Sequence, residues 1–193
     1  MSRVGVLALQ GDFAAHGKVL DELGVEWQLV KTPNELAQVQ GVIIPGGEST
    51  TLLKLMAPIA MRPALEQFHA EERPIFGTCA GLILLAQETI RPPQESLGFI
   101  NVVAERNAYG RQIDSFIDLG TPLVEELGLA PLEMVFIRAP KIVALRPGVT
   151  ALAMWKDETV LARQGSVLVS SFHPELTADR RVHRYFLDMI AVV

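Results

Sequence analysis

The stretch PIFGTCAGLILL (residues 74–85) contains the chain's one cysteine and decides how the rest is read. Residues 74–77 have the short apolar character of a buried strand, and Ala80 to about Glu88 carry a helical pattern. Cys79 sits between them with Gly77 two residues before and Gly81 two residues after. This is a Gly-x-Cys-x-Gly version of the sharp strand-to-helix turn that presents a nucleophile. A thiol at a helix N-terminus is favoured as thiolate by the dipole and the free N–H groups. The N–H of Ala80 is then placed to receive an oxyanion. The competing reading is an inert buried thiol, the common state of a lone cysteine.

Outward from this stretch, the first half alternates strands and helices. Strands are expected at 3–9, 25–30, 41–47 and 74–77. Helices are expected at 13–23, after Thr32-Pro33 with a capping box closed by Glu35, and from Ser49 to about Met56. Asp12 is a candidate N-cap and Gly24 a candidate helix stop. Such alternation predicts an α/β fold of three layers, a mostly parallel central sheet flanked by helices. Ligands in such sheets sit beyond the carboxyl ends of the strands. Gly46-Gly47 and Cys79 both fall there. The second half reads as strands at about 100–105, 113–118, 134–138, 141–145, 151–155, 158–163 and 167–172, with a closing helix over 178–190. No repeat or linker divides the chain, so a single domain over residues 1–193 is expected.

Bulk properties narrow the function. Of 193 residues, 49% are apolar and 20% charged, which suits a globular core. A net charge of −5, with no basic run, argues against a nucleic-acid partner. Mean hydropathy is +0.28, yet no apolar stretch reaches membrane-spanning length, and VGVLAL near the N-terminus is too short for a signal-peptide core. One cysteine excludes an internal disulfide and a cysteine-rich zinc site, and the scattered histidines offer no metal spacing. A cytoplasmic protein without metal or cofactor is expected.

A thiol nucleophile needs a base. His16, His69 and His183 lie in helical patterns and read as solvated or helix-packing side chains. His173 differs: SVLVSSFHPEL (166–176) is a strand running into His-Pro-Glu. Pro174 biases His173 toward extended backbone, where residues i and i+2 face the same side. Glu175 can thus orient one ring nitrogen and leave the other for the thiol. In IIPGGESTT (43–51) two glycines at a strand end let backbone approach a substrate, and a peptide N–H there is a candidate second oxyanion donor. Arg106, in a polar segment, and Arg138, at a strand end, are candidates for holding a carboxylate.

Pro-Gly-Gly-Glu, Gly-x-Cys-x-Gly and His-Pro-Glu in this order resemble the triad-type, class I glutamine amidotransferases. LALQGDFAAH, IIPGGESTT, FGTCAGLILLA, ERNAYGRQIDSF, FIRAP and SFHPELT together resemble the branch serving pyridoxal 5′-phosphate synthase, across essentially the whole chain. The resemblance implies hydrolysis of L-glutamine to glutamate and ammonia. The ammonia passes to a separate synthase subunit that assembles pyridoxal 5′-phosphate from a pentose phosphate and a triose phosphate. It implies a triad of Cys79, His173 and Glu175, and oxyanion donors at Gly47 and Ala80. Glutamine contacts are implied at Gly47, Glu48, Ser49, Arg106, Ile137 and Arg138, and a partner-facing loop at Gln10-Gly11. Alternatives are a glutaminase for another acceptor, such as imidazole glycerol phosphate synthase, and a stand-alone γ-glutamyl or cysteine hydrolase.

Overall fold

Hydrophobic runs with alternate residues facing opposite sides build the centre of the molecule. In the computed structural model, which describes residues 3–106, 108 and 115–191, Val4–Leu7 (β1) is buried throughout and is followed by helix Phe13–Glu22 (α1). Strand Trp27–Val30 (β2), helix Pro33–Ala37 (α2) and strand Gly41–Ile44 (β3) come next. The capping box before α2 forms as expected: Glu35 N–H donates to Thr32 Oγ1 at 3.3 Å, and Thr32 N–H to Glu35 Oε2 at 2.9 Å. Gly24, in the left-handed region at φ +68°, follows the end of α1. Asp12 occupies the N-cap position of α1 without a side-chain capping bond.

Helices Ser49–Met56 (α3) and Met61–Ala70 (α4) lead to strand Ile75–Thr78 (β4) and helix Ala80–Leu85 (α5). Strands Ala86–Ile90 (β5), Ile100–Glu105 (β6), Ser115–Pro122 (β7), Leu132–Ile137 (β8), Lys141–Leu145 (β9), Thr150–Trp155 (β10), Glu158–Gln164 (β11) and Val167–Ser170 (β12) follow. A 3-10 turn at Pro174–Leu176 and helix Arg181–Ala191 (α6) complete the described chain.

The main sheet has nine strands in the order β2-β1-β3-β4-β12-β11-β10-β7-β8. The first five are parallel to one another. Beyond β12 each neighbour is antiparallel, because short turns rather than helices connect several of these strands. Side-chain alternation then sorts the core into two layers. Val42, Ile44, Ile75, Val167 and Val169 join the layer containing Leu52, Leu65 and Leu82 of α3, α4 and α5. Ile43, Phe76 and Leu168 join the layer containing Leu20 of α1 and Phe186 of α6. The three-layer α/β expectation is met, with helices on both faces of the parallel half.

Three local expectations need correction. The helix after Cys79 ends at Leu85 rather than near Glu88, because residues 86–90 pair with β6 in a second sheet, β5-β6-β9. The closing helix begins at Arg181, not 178, since Asp179 Oδ1 accepts from Arg181 N–H at 3.0 Å and holds the preceding residues out of the helix. Strand β7 runs from Ser115 to Pro122, further than expected, and positions 113 and 114 lie outside the described residues.

Candidate active site

The parallel half explains why distant segments meet. Strands β1, β3, β4 and β12 run the same way, so the residues following each lie along one sheet edge. These are Gln10-Gly11 after β1, Gly46-Gly47 after β3, Cys79 after β4 and His173 after β12. The order β2-β1-β3 reverses between β1 and β3, the position where open α/β sheets form a ligand crevice. A cleft of about 320 Å³ opens there and is lined by residues from all four segments. Arg106 and Ile137-Arg138 form another part of its wall.

Cys79 has φ +50° and ψ −101°, a strained conformation for a residue with a Cβ. Its N–H is tied to Ser170 O at 2.8 Å, and its carbonyl receives Ile83 N–H at 3.2 Å, so β12 and α5 hold the turn from both sides. The flanking glycines are required by contact. A Cβ on Gly77 would lie 2.7 Å from the Gly81 carbonyl carbon, and one on Gly81 would lie 2.3 Å from Ile44 O. Helix α5 therefore descends directly onto the backbone of β3 and β4. Cys79 is 8% exposed, and its Sγ lies 3.9 Å from Ile137 O.

His173 Nδ1 lies 2.7 Å from Glu175 Oε1. Nε2 is buried and has no hydrogen-bond partner among the described residues. Burial works against the charged imidazole, but Cys79 and Glu175 outweigh it and raise His173 to about 10. Burial likewise opposes ionisation of Glu175, yet His16 and His173 hold its carboxyl down at about 2. The result is an anionic carboxylate orienting an imidazole whose second nitrogen is left for the thiol side of the cleft. Gly46 packs between Cys79 and His173: a Cβ there would lie 2.5 Å from His173 Cε1 and 3.4 Å from Cys79 Cβ.

The glycine loop is braced by the segment after β1. Glu48 N–H donates to Gln10 Oε1 at 2.8 Å, and Asp12 N–H donates to Gly46 O at 3.2 Å. Gly11 has φ +104°, and a Cβ there would fall 1.9 Å from Gly46 O, so only glycine fits this contact. Glu48 caps α3, accepting from Thr51 N–H at 3.1 Å. The hydrogen bond from Thr50, together with those from Thr51, outweighs desolvation and lowers the Glu48 pKa. Arg106 Nη2 lies 3.7 Å from Glu48 Oε1, and Ser49 Oγ donates to Gln94 Oε1 at 2.9 Å. Arg138 is exposed, with φ +43°.

Of the residues singled out in the sequence, Gln10, Gly11, Gly47, Glu48, Ser49, Cys79, Arg106, Ile137, Arg138 and His173 line this one cleft. Ala80 and Glu175 stand behind its wall, Ala80 as the first residue of α5 and Glu175 buried against His173. Sequence reading passed over Gln94, and it read Asp12 only as a helix cap and Gly46 only as part of the strand-end glycine pair. Of the two readings given for His16 and His183, helix-packing is the one that holds: both are completely buried, His16 with Nε2 3.5 Å from Glu175 Oε2 and His183 with Nε2 3.1 Å from His16 Nδ1. An apolar helix face carrying an imidazole was the available signal. His69 stacks on Phe99 with ring centroids 4.3 Å apart, as a helix-packing histidine should. Among the described residues no group of three or more His, Cys, Asp or Glu is arranged to hold a metal, and no helix is long and apolar enough to cross a membrane.

An α/β sheet with a strained cysteine, an oriented histidine and a glycine loop at its carboxyl edge has the architecture of the glutamine amidotransferases. A solved structure described as a glutamine amidotransferase superposes with a TM-score of 0.90, is 45% identical, and is matched over 97% of this chain and 98% of its own. The model of the SNO glutamine amidotransferase family matches residues 6–192, and the chain belongs to that family. It is 48% identical over 189 residues to the pyridoxal 5′-phosphate synthase subunit PdxT of Thermosipho africanus, covering 97% of this chain and 98% of the relative. To the protein of that name from Pseudothermotoga lettingae it is 50% identical over 191 residues, covering 98% and 96%. A structure of PurLQS from Thermotoga maritima, at 14% identity and a TM-score of 0.73, shares the fold alone.

Proposed function

We propose that this chain is the glutaminase of a pyridoxal 5′-phosphate synthase, hydrolysing L-glutamine and delivering ammonia to a synthase subunit in the cytoplasm. The observation that carries the catalytic part is His173, held by Glu175 at 2.7 Å on one nitrogen and left open on the other beside strained Cys79. Family membership and the PdxT relatives support the acceptor.

In this reading the Cys79 thiolate attacks the side-chain amide carbon of glutamine. The oxyanion is met by the N–H groups of Ala80 and Gly47. His173, as imidazolium, protonates the departing nitrogen, because an amide anion cannot leave unaided. The neutral imidazole then removes a proton from water as it attacks the thioester, and glutamate is released from the regenerated thiol. Glu175 keeps the imidazole in the required orientation and stabilises its cation. Arg106 and Arg138, with Glu48, Ser49 and Ile137, hold the amino-acid end of the substrate.

Gly47 is packed on the Gln10-Gly11 segment, where a Cβ on Gly47 would sit 2.5 Å from Gln10 Oε1. A partner docking against Gln10 and Gly11 therefore acts on the oxyanion loop directly. One misplaced oxyanion donor costs on the order of 10²–10³ in rate, which is enough to keep a free subunit idle. The test is glutamine hydrolysis by wild type and Cys79→Ala, each with and without the synthase subunit. Activity is expected from the wild type and to rise with the partner. Hydrolysis surviving in Cys79→Ala overturns the triad, and equal wild-type rates with and without partner overturn the activation.

A further inference from the structure

Behind Glu175 lies a pair of imidazoles for which the glutaminase mechanism has no use. His16, on α1, and His183, on α6, are both 0% exposed. His16 Nδ1 lies 3.1 Å from His183 Nε2, and His16 Nε2 lies 3.3 Å from Thr78 Oγ1 and 3.5 Å from Glu175 Oε2. Glu175 Oε2 is buried and has no hydrogen bond among the described residues, His16 Nε2 approaching it at 3.5 Å without forming one; His183 Nδ1 is likewise buried and unpartnered. Two buried histidines in contact, one of them against a carboxylate, need a definite arrangement of protons.

Only one arrangement of two neutral rings avoids a conflict. With Nε2–H on both, His183 donates to His16 Nδ1, and His16 donates toward Glu175 Oε2 and Thr78 Oγ1. The atom then left unpartnered, His183 Nδ1, is a bare lone pair. In the opposite arrangement His16 Nδ1–H donates to His183 Nε2. A lone pair on His16 then faces the carboxylate, and a buried N–H is stranded on His183. A stranded buried N–H and an unpaired buried carboxylate oxygen are both costly. Burial lowers the pKa of both rings, His183 to about 3, consistent with neutrality.

We propose that His16 is a positioning residue for the catalytic carboxylate: fixed by His183, it directs its Nε2–H at Glu175 Oε2 and so keeps Oε1 turned toward His173. This rests on the triad reading of Cys79, His173 and Glu175. The chain of contacts from α6 through α1 to the end of β12 ties the outer helical layer to the reacting thiol. A carboxylate held on one oxygen alone is free to rotate and to let the imidazole tilt. Loss of this support affects the chemical step more than substrate binding.

The test has a direct and a functional arm. Nitrogen-15 NMR of the full chain is expected to show His16 and His183 both neutral, protonated at Nε2 and bare at Nδ1. The opposite tautomer, or a charged His16, overturns the proposal, and this arm needs no variant to fold. In glutaminase assays with the synthase subunit present, His16→Leu is expected to lower kcat about tenfold or more, with KM within about twofold. His16→Gln, whose carboxamide N–H2 can reach the Nε2 position, is expected to recover most of that loss at a thermal midpoint no higher than that of His16→Leu. Full kcat in His16→Leu, or no rescue by glutamine, overturns the proposal. Cys79→Ala separates the two readings: if it is inactive while His16→Leu is fully active, only the positioning role fails; if it remains active, the triad fails first.

Discussion

His173 and Glu175 are two residues apart in sequence and 2.7 Å apart through Nδ1 and Oε1, with the Glu175 side chain completely buried. Pro174 between them begins a 3-10 turn, and His173 N–H is anchored to Val135 O at 2.8 Å. The pair is therefore held by backbone on both sides, so its geometry is present before substrate arrives. Glu175→Gln keeps the shape but removes the charge that favours imidazolium. A fall in kcat on the order of 10³–10⁴ is expected from steady-state glutaminase kinetics with the partner present.

The same buried groups set the pH dependence of stability. Glu175 has its pKa lowered to about 2 from 4.5, so its contribution is complete above 4.5 and is lost as pH falls toward 2. His183, lowered to about 3 from 6.5, is neutral when folded and protonated when unfolded between those values, so it also weakens the fold as pH falls. His173, raised to about 10, acts oppositely: its contribution is complete below 6.5 and is lost as pH rises to 10. Denaturant unfolding of His183→Phe is expected to lack part of the acid slope between pH 6.5 and 4, up to about 1.4 kcal/mol per unit. His173→Asn is expected to flatten the alkaline slope instead. An unchanged slope in either variant contradicts the assignment.

Glycine contacts near the thiol predict two separable outcomes. At Gly81 a methyl would strike the backbone oxygen of Ile44 at 2.3 Å, and backbone cannot step aside, so Gly81→Ala should lower stability by about 1–3 kcal/mol. At Gly46 the methyl would meet the His173 ring at 2.5 Å. Gly46→Ala is expected to lower kcat more than it lowers the thermal midpoint, because a displaced imidazole loses its alignment with Cys79. Calorimetry and kinetics on the two variants distinguish these effects.

Gln10 braces the oxyanion loop through its acceptor bond to Glu48 N–H at 2.8 Å. Gln10→Ala should reduce kcat about five- to tenfold, the rate equivalent of a typical net hydrogen bond. Gln10→Glu, which keeps an acceptor oxygen, should lose less. Rates at saturating glutamine with the synthase subunit present decide this.

Arg106 is held 3.7 Å from Glu48 across the cleft mouth. If its guanidinium binds the substrate equally in ground and transition states, Arg106→Ala raises KM for glutamine with a smaller change in kcat. A fall in kcat alone would instead place the arginine at the reacting centre.

Much of this site was legible because its chemistry depends on local sequence. Gly77-Thr78-Cys79-Ala80-Gly81 specifies a turn whose backbone contacts exclude larger residues, and His173-Pro174-Glu175 places the imidazole and carboxylate within reach, although a 3-10 turn at Pro174–Leu176 joins them rather than the extended chain expected. Strand–helix alternation specified the parallel half of the sheet. Residues 86–88 were misread as a continuation of α5 because a short segment with one buried face has no decisive local preference; pairing of 86–90 with β6 chose strand.

The sequence alone singled out Cys79, His173 and Glu175 as candidates and the parallel strands that bear the first two, since each is encoded within a few consecutive residues. Tertiary structure alone decided that Gln10 would brace Glu48, that Gly46 would pack between the thiol and the imidazole, and that His16 and His183 would stand behind Glu175. These relationships join α1, β3, β12 and α6 across as many as 167 positions. No local periodicity carries them. They arise because parallel strands bring their carboxyl ends to one edge, and because a buried carboxylate must find its donors there.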